Sequence, residues 1–184
     1  MSGPRSNVSP TDILMQFFSL PLDVTALIST TLFTSEYNTG LSIRGNYFWY
    51  IHLVEFHFLL KALLKPAAAY EGALSCAISA RSGLTVMPQP EDPGVVAYQR
   101  LLIDGDSGGY APVFAELTKR QSFLPPVPLA HPKLNVYMQM ALGSGTAPTW
   151  TAGRKLTARI GFTTAPLTAQ MYEEIAETWG YDTF

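Results

Sequence analysis

The chain has 184 residues, enough for one domain whose core needs no covalent staples. Apolar residues make up 47% and charged residues only 14%, against roughly 25% charged in an average soluble domain; with a net charge of −2, this excludes a dense cationic grip on nucleic acid and favours self-association as cover for the flanks. The single cysteine, Cys76, excludes an intrachain disulfide and a multi-cysteine zinc cluster and suits a reducing compartment, and no run reaches the roughly 18–20 apolar residues of a membrane-spanning helix.

Residues 1–12 are small and polar, carry Pro4 and Pro10, and read as a mobile N-terminal arm; Arg5 is not followed by the apolar core of a secretion signal. Without such a signal the sequon Asn7-Val8-Ser9 has no use. Residues 13–20 and 24–33 read as extended pieces separated by Pro21, and Ser35 to Gly45 as a loop. Tyr47 to Leu60 is rich in aromatic and β-branched residues and predicts a long strand, while Leu59 to Ala69 fits a strand end or a short helix. Ala73 to Ala80 predicts another strand, closed by Ser82-Gly83, and the prolines between Met87 and Gly94 predict a loop.

Val95 to Ile103 is strand-like, Asp104 to Gly109 is a break, and Val113 to Leu124 fits no single pattern. Pro125, Pro126 and Pro128 predict an extended linker before His131. Two clean alternations follow. Leu134, Val136, Met138, Met140 and Leu142 take every second place in the first, and Leu156, Ala158, Ile160 and Phe162 do so in the second. Gly143, Ser144, Gly145, Pro148 and Gly153 lie between, so two adjacent antiparallel strands are the simplest arrangement. After Pro166, Thr168 can cap a helix that carries Met171, Ile175 and Trp179 at helical spacing and that Gly180 can end, with Glu173, Glu174 and Glu177 on a solvated face. Many short strands without a βαβ rhythm predict an all-β sandwich or barrel, organised as an arm over 1–12, a shell domain over 13–167 and a helical tail over 168–184.

Two constellations bear on chemistry. Gly105-Asp106-Ser107-Gly108-Gly109 is similar to the string around the nucleophile of chymotrypsin-like serine proteases, in which a histidine and a buried carboxylate activate the serine. Here the upstream histidines, His52 and His57, leave roughly fifty residues before Ser107, too short for that two-barrel fold, and Tyr110 replaces the usual proline. A small serine protease using Ser107 is therefore the alternative reading, with a tight turn as the plainer one. Strict alternation puts Glu55 and His57 on one strand face and His52 on the other, with no third metal ligand in sight. Lys119-Arg120 is the adjacent basic pair, and Lys155 and Arg159 share a polar face with Thr157 and Thr163 that could meet phosphate weakly or be solvated.

The segment from Pro132-Lys133-Leu134 through Thr149, and then Leu156 to Pro166-Leu167, resembles the C-terminal part of tymovirus-like coat proteins, and the upstream order of arm, extended pair, aromatic strand with His52 and small-residue strand is similar. The resemblance implies an all-β, eight-stranded antiparallel jelly-roll sandwich of the viral capsid type, in which consecutive strands cross between sheets. It implies a capsid subunit of a small icosahedral positive-strand RNA virus, with no catalytic residues, cofactor or metal. Its partners would be further copies of itself in a quasi-equivalent shell and weakly contacted viral genomic RNA, with no membrane. Such a chain would reside in the virion after assembly in the host cytoplasm. Lys119, Arg120, Lys155, Arg159, His57 and Glu55 are the candidate RNA or subunit contacts.

Overall fold

The two cleanest alternations become interior strands, one in each of two sheets. A computed structural model describes residues 15–24, 31–41, 47–59, 70–105, 117–145 and 154–179. Its strands are β1 (Gln16–Val24), β2 (Leu32–Asn38), β3 (Tyr47–Leu59), β4 (Tyr70–Ser79), β5 (Val95–Gly105), β6 (Leu117–Leu129), β7 (Lys133–Gly145) and β8 (Arg154–Pro166), followed by the helix α1 (Ala169–Trp179). One four-stranded sheet has the order β1-β8-β3-β6 and the other β2-β7-β4-β5, with every pair antiparallel. Only β4 and β5 are consecutive neighbours within a sheet; every other step along the chain crosses to the opposite sheet. That order is the double-sheet jelly roll. It also replaces the simple hairpin: β7 and β8 belong to different sheets.

The core lies between the sheets. Leu134, Val136, Met138 and Met140 of β7 face Leu156, Ala158, Ile160 and Phe162 of β8 across it, all buried. Val54, Phe56 and Phe58 of β3 enter the same core, each contributing about 1.5–3 kcal/mol relative to an exposed position. Trp49 stacks on Phe162 with centroids 4.0 Å apart. Cys76 is fully buried there, and burial pushes its thiol well above the ordinary range.

Four sequence expectations change at the sheet edges. Pro21 lies within β1 instead of interrupting it, opposite Thr157 of β8. Pro125, Pro126 and Pro128 lie within β6 instead of forming a linker. Both strands are sheet edges, where one side makes no ladder and a missing N–H costs nothing. Ser35 to Asn38, expected as loop, belong to β2, an edge strand of the other sheet. Asp104 and Gly105 complete β5. The expectations for 1–14, 25–30, 42–46, 60–69, 106–116, 146–153 and 180–184 fall outside the described residues.

The helix forms where expected, with the Thr168 hydroxyl oxygen accepting from the Met171 N–H at 3.2 Å. Tyr172, Ile175 and Ala176 bury one face into the core, while Glu173, Glu174 and Glu177 are exposed.

The outer face of the second sheet is covered by the segment between β4 and β5. Its ends are joined where the Ala80 N–H donates to the Gly94 carbonyl at 2.9 Å. Met87 packs there with Ala77 and Tyr137 in a small second cluster, and the Tyr137 hydroxyl donates to the Arg81 carbonyl at 2.8 Å. Asn135 and Tyr137, on the face of β7 that alternates with the core residues, are therefore also buried.

Candidate interaction face

Four of the six predicted contact residues, Glu55, His57, Arg120 and Arg159, gather on the outer face of the β1-β8-β3-β6 sheet. Register builds this face row by row. Glu55 of β3 lies opposite Arg120 of β6 on one side and Arg159 of β8 on the other. The next row sets His57 between Thr118 and Thr157. In the row beyond Glu55, Leu53 lies between Ser122 and Gly161, and Gly161 is in turn opposite Phe17 of β1.

Glu55 is the centre of the charge. Its carboxylate is 3.9 Å from both the Arg120 Nε and the Arg159 guanidinium, and 3.7 Å from the His57 Nε2. None of these distances is a hydrogen bond, and pairs this exposed contribute at most about 1 kcal/mol each to stability. The arginine side chains are 59% and 42% exposed against 19% for that of Glu55, so the carboxylate is the most shielded member of the row. The Arg159 guanidinium also lies 4.7 Å from the centre of the Phe17 ring. His57 Nδ1 is 2.9 Å from the Thr118 hydroxyl, and its Nε2 is buried without a hydrogen-bond partner among the described residues.

His52 belongs to this face, contrary to strict alternation. The ladders slip between Ile51 and Leu53, so the face parity of β3 reverses at a bulge. His52 Nε2 lies 2.9 Å from the hydroxyl of Thr163, on the same side of β8 as Arg159. Lys119 departs in the other direction: it is opposite Phe56, a core residue, so the adjacent basic pair divides between the two sides of β6. Lys155 lies in register with Asp23 of β1 and Leu59 of β3.

Neither histidine is joined to a carboxylate by a hydrogen bond, and Ser107 falls outside the described residues. Among the described residues no group of three or more His, Cys, Asp or Glu is placed to hold a metal ion. No helix among the described residues is long and apolar enough to cross a membrane. Sequence reasoning placed Thr163 on the polar face of β8 but did not pair it with His52, and it missed Thr118, whose hydroxyl meets His57, and the apolar edge residues. Phe17 is 49% exposed, Met15 40%, Leu102 76% and Leu124 98%.

No protein-family model matches the chain, and no curated protein does. Several solved structures are similar to it. A KI polyomavirus VP1 from an unassembled pentamer is 10% identical with a TM-score of 0.47, covering 83% of this chain and 94% of its own. Turnip yellow mosaic virus is 13% identical with a TM-score of 0.33, covering 90% and 87%. Desmodium yellow mottle tymovirus is 13% identical with a TM-score of 0.32, covering 91% and 98%. Each of these three structures comes from a virus.

Proposed function

We propose that this chain is a viral capsid subunit that self-assembles into a closed icosahedral shell around RNA, residing in the virion after assembly in the host cytoplasm. The observation that carries the reading is the strand order β1-β8-β3-β6 over β2-β7-β4-β5, the eight-stranded arrangement that the resemblance of 132–167 to tymovirus-like coat proteins implies. A fold alone does not assign a function. The composition supports this one, since 14% charged residues leave little to solvate an isolated sandwich, and exposed apolar side chains stand on its edge strands.

The outer-face row Arg120–Glu55–Arg159, with His57 beside it, is the candidate contact for weakly held RNA. Two guanidiniums could each meet a phosphate, but Glu55 between them opposes a polyanion, so the contact would be shallow and salt-sensitive. Lys119 and Lys155 would add only at its margins. The arm over 1–12 and the tail over 168–184 are proposed as accessories to the shell domain over 13–167.

The test is assembly of the expressed full chain, followed by size-exclusion chromatography and negative-stain electron microscopy across pH and salt. Closed particles are the expected result. A monomer under every condition would remove the reading.

A further inference from the structure

The Glu55 carboxylate faces more cations than it can serve. The His57 Nε2 lies 3.7 Å from its Oε2, the Arg159 Nη1 lies 3.9 Å from that same oxygen, and the Arg120 Nε lies 3.9 Å from Oε1. His57 and Arg159 therefore compete for one acceptor atom, the first from β3 itself and the second from β8. Neither contact is closed to a hydrogen bond, so the charge on the imidazole decides which of the two the carboxylate draws in.

The surroundings of His57 leave one of its nitrogens with an unmet need. The ring sits between Thr118 of β6 and Thr157 of β8, with Nδ1 2.9 Å from the Thr118 hydroxyl. A hydroxyl both donates and accepts, so this contact survives whether Nδ1 carries a proton or a lone pair. Nε2 is buried, has no hydrogen-bond partner among the described residues, and faces the Glu55 carboxylate. The charged groups around the ring are Glu55 on β3, Arg120 on β6 and Arg159 on β8; along β8 in the other direction, Lys155 is in register with Asp23 of β1. Glu55 is the one acid against the imidazole. With both nitrogens protonated, Nδ1–H donates to Thr118 and Nε2–H to Glu55, and rotation of two side chains on one strand closes 3.7 Å to the roughly 2.8 Å of a charge-assisted hydrogen bond.

Arg159 stays in place without Glu55. Its guanidinium lies 4.7 Å from the centre of the Phe17 ring, and its side chain is 42% exposed. The ring holds the cation from one side and leaves its N–H groups to an external anion.

We infer that protonation of His57 switches this face from a self-paired row to a phosphate-binding one: the imidazolium takes the Glu55 Oε2, and the released Arg159 guanidinium, kept in position by Phe17, meets an RNA phosphate. The inference rests on the reading of this face as the RNA contact and adds its regulation. Two guanidiniums and one carboxylate give the cluster a formal charge of +1, and the imidazolium raises it to +2. RNA is held more firmly in a mildly acidic medium and released as pH rises.

The test titrates the full chain, unassembled, into a fluorescently labelled oligouridylate at about pH 5.5 and pH 8, on either side of the range in which imidazole changes charge. Uracil does not titrate between these values, so any pH dependence belongs to the protein. One added phosphate contact steepens the slope of log affinity against log salt by about 0.7 and tightens binding about fivefold at about 0.1 M salt. His57→Gln, which keeps a partner for Thr118 and cannot become charged, is expected to show the weak affinity and shallow slope at both pH values. Glu55→Gln is expected to bind tightly at both, since nothing then holds Arg159 back. Arg159→Gln should lose the acid increment, while His52→Gln, on the same face beside Thr163, should keep it. Circular dichroism checks each fold, and Glu55→Gln carries the test through the opposite change if His57→Gln does not fold. Equal affinity and slope at both pH values in the wild-type chain would overturn the switch and leave the RNA contact in place. An acid increment that persists in His57→Gln or Glu55→Gln, or disappears in His52→Gln, would overturn it too. A wild-type chain that binds no oligouridylate at either pH would remove the RNA contact and the switch together, with the capsid reading still decided by particle formation.

Discussion

Gly161 offers a measurable test of how the outer face is packed. It lies on β8 between Leu53 of β3 and Phe17 of β1, and a Cβ built on it would stand 2.9 Å from the Leu53 Cγ and 2.9 Å from the Met15 Sδ. The methionine sulfur sits near the end of a flexible side chain and can move aside. Leu53 cannot do so as easily: its branch point is the atom approached, and it is only 4% exposed. Overpacking of this kind costs about 1–3 kcal/mol. A Gly-to-Ala change in a strand returns about 0.5–1 kcal/mol by restricting the unfolded chain. Gly161→Ala should therefore lose about 1 kcal/mol net, or about 2–4 °C in Tm for a domain of this size. Urea denaturation of the unassembled chain, with Leu53→Ala and the double variant alongside, separates the terms. Once Leu53 is truncated the added methyl fits, so the double variant should be more stable than the sum of the single losses by about 1 kcal/mol. Gly161→Ala at or above wild-type stability, with additive effects in the double variant, would refute the packing described for this face.

Burial raises both the Cys76 thiol and the Tyr137 hydroxyl, so the folded chain holds these protons after the unfolded chain begins to release them. The contribution of these two groups to stability should be constant below about pH 8.5 and fall as pH rises beyond it; Cys76→Ala should flatten the alkaline fall in a pH series of urea midpoints, and an unchanged slope would refute the assignment. Tyr137→Phe removes the hydrogen bond to the Arg81 carbonyl and should cost about 1 kcal/mol while speeding proteolysis within 81–94, read by mass spectrometry of limited digests. A fluorophosphonate probe should label neither the wild-type chain nor Ser107→Ala; labelling that disappears in the variant would restore the serine protease reading.

Legibility in the sequence followed the strand environment. β7 and β8 could be read directly because each has neighbours on both sides and one face in the core, so the apolar set must fall on every second residue. The edge strands β1 and β6 were obscured by prolines that a one-sided ladder tolerates. The Arg120–Glu55–Arg159 row was illegible because three strands distant in sequence supply it, and only their register brings them together. His52 was assigned to the wrong face because a bulge between Ile51 and Leu53 reverses parity without leaving a glycine to mark it. Tyr137 and Asn135 alternate as solvent-facing residues should, and a segment from elsewhere in the chain then buries them. Leu124 had no signature, since its exposure comes from residues looped out between two well-paired stretches.

The covering segment over the second sheet is tied at its base and anchored partway along by Met87, while Val86 beside that anchor is 70% exposed. Lengthening a loop whose ends are already held together adds little entropic cost, because each doubling costs only about 0.6 kcal/mol. Variation at Thr85-Val86 is thus mechanically decoupled from the ladders on either side. Evolution, or an experimenter grafting a peptide, can rewrite that tip while the sandwich keeps its register, which makes it the natural place for the molecule to change what it presents to its surroundings.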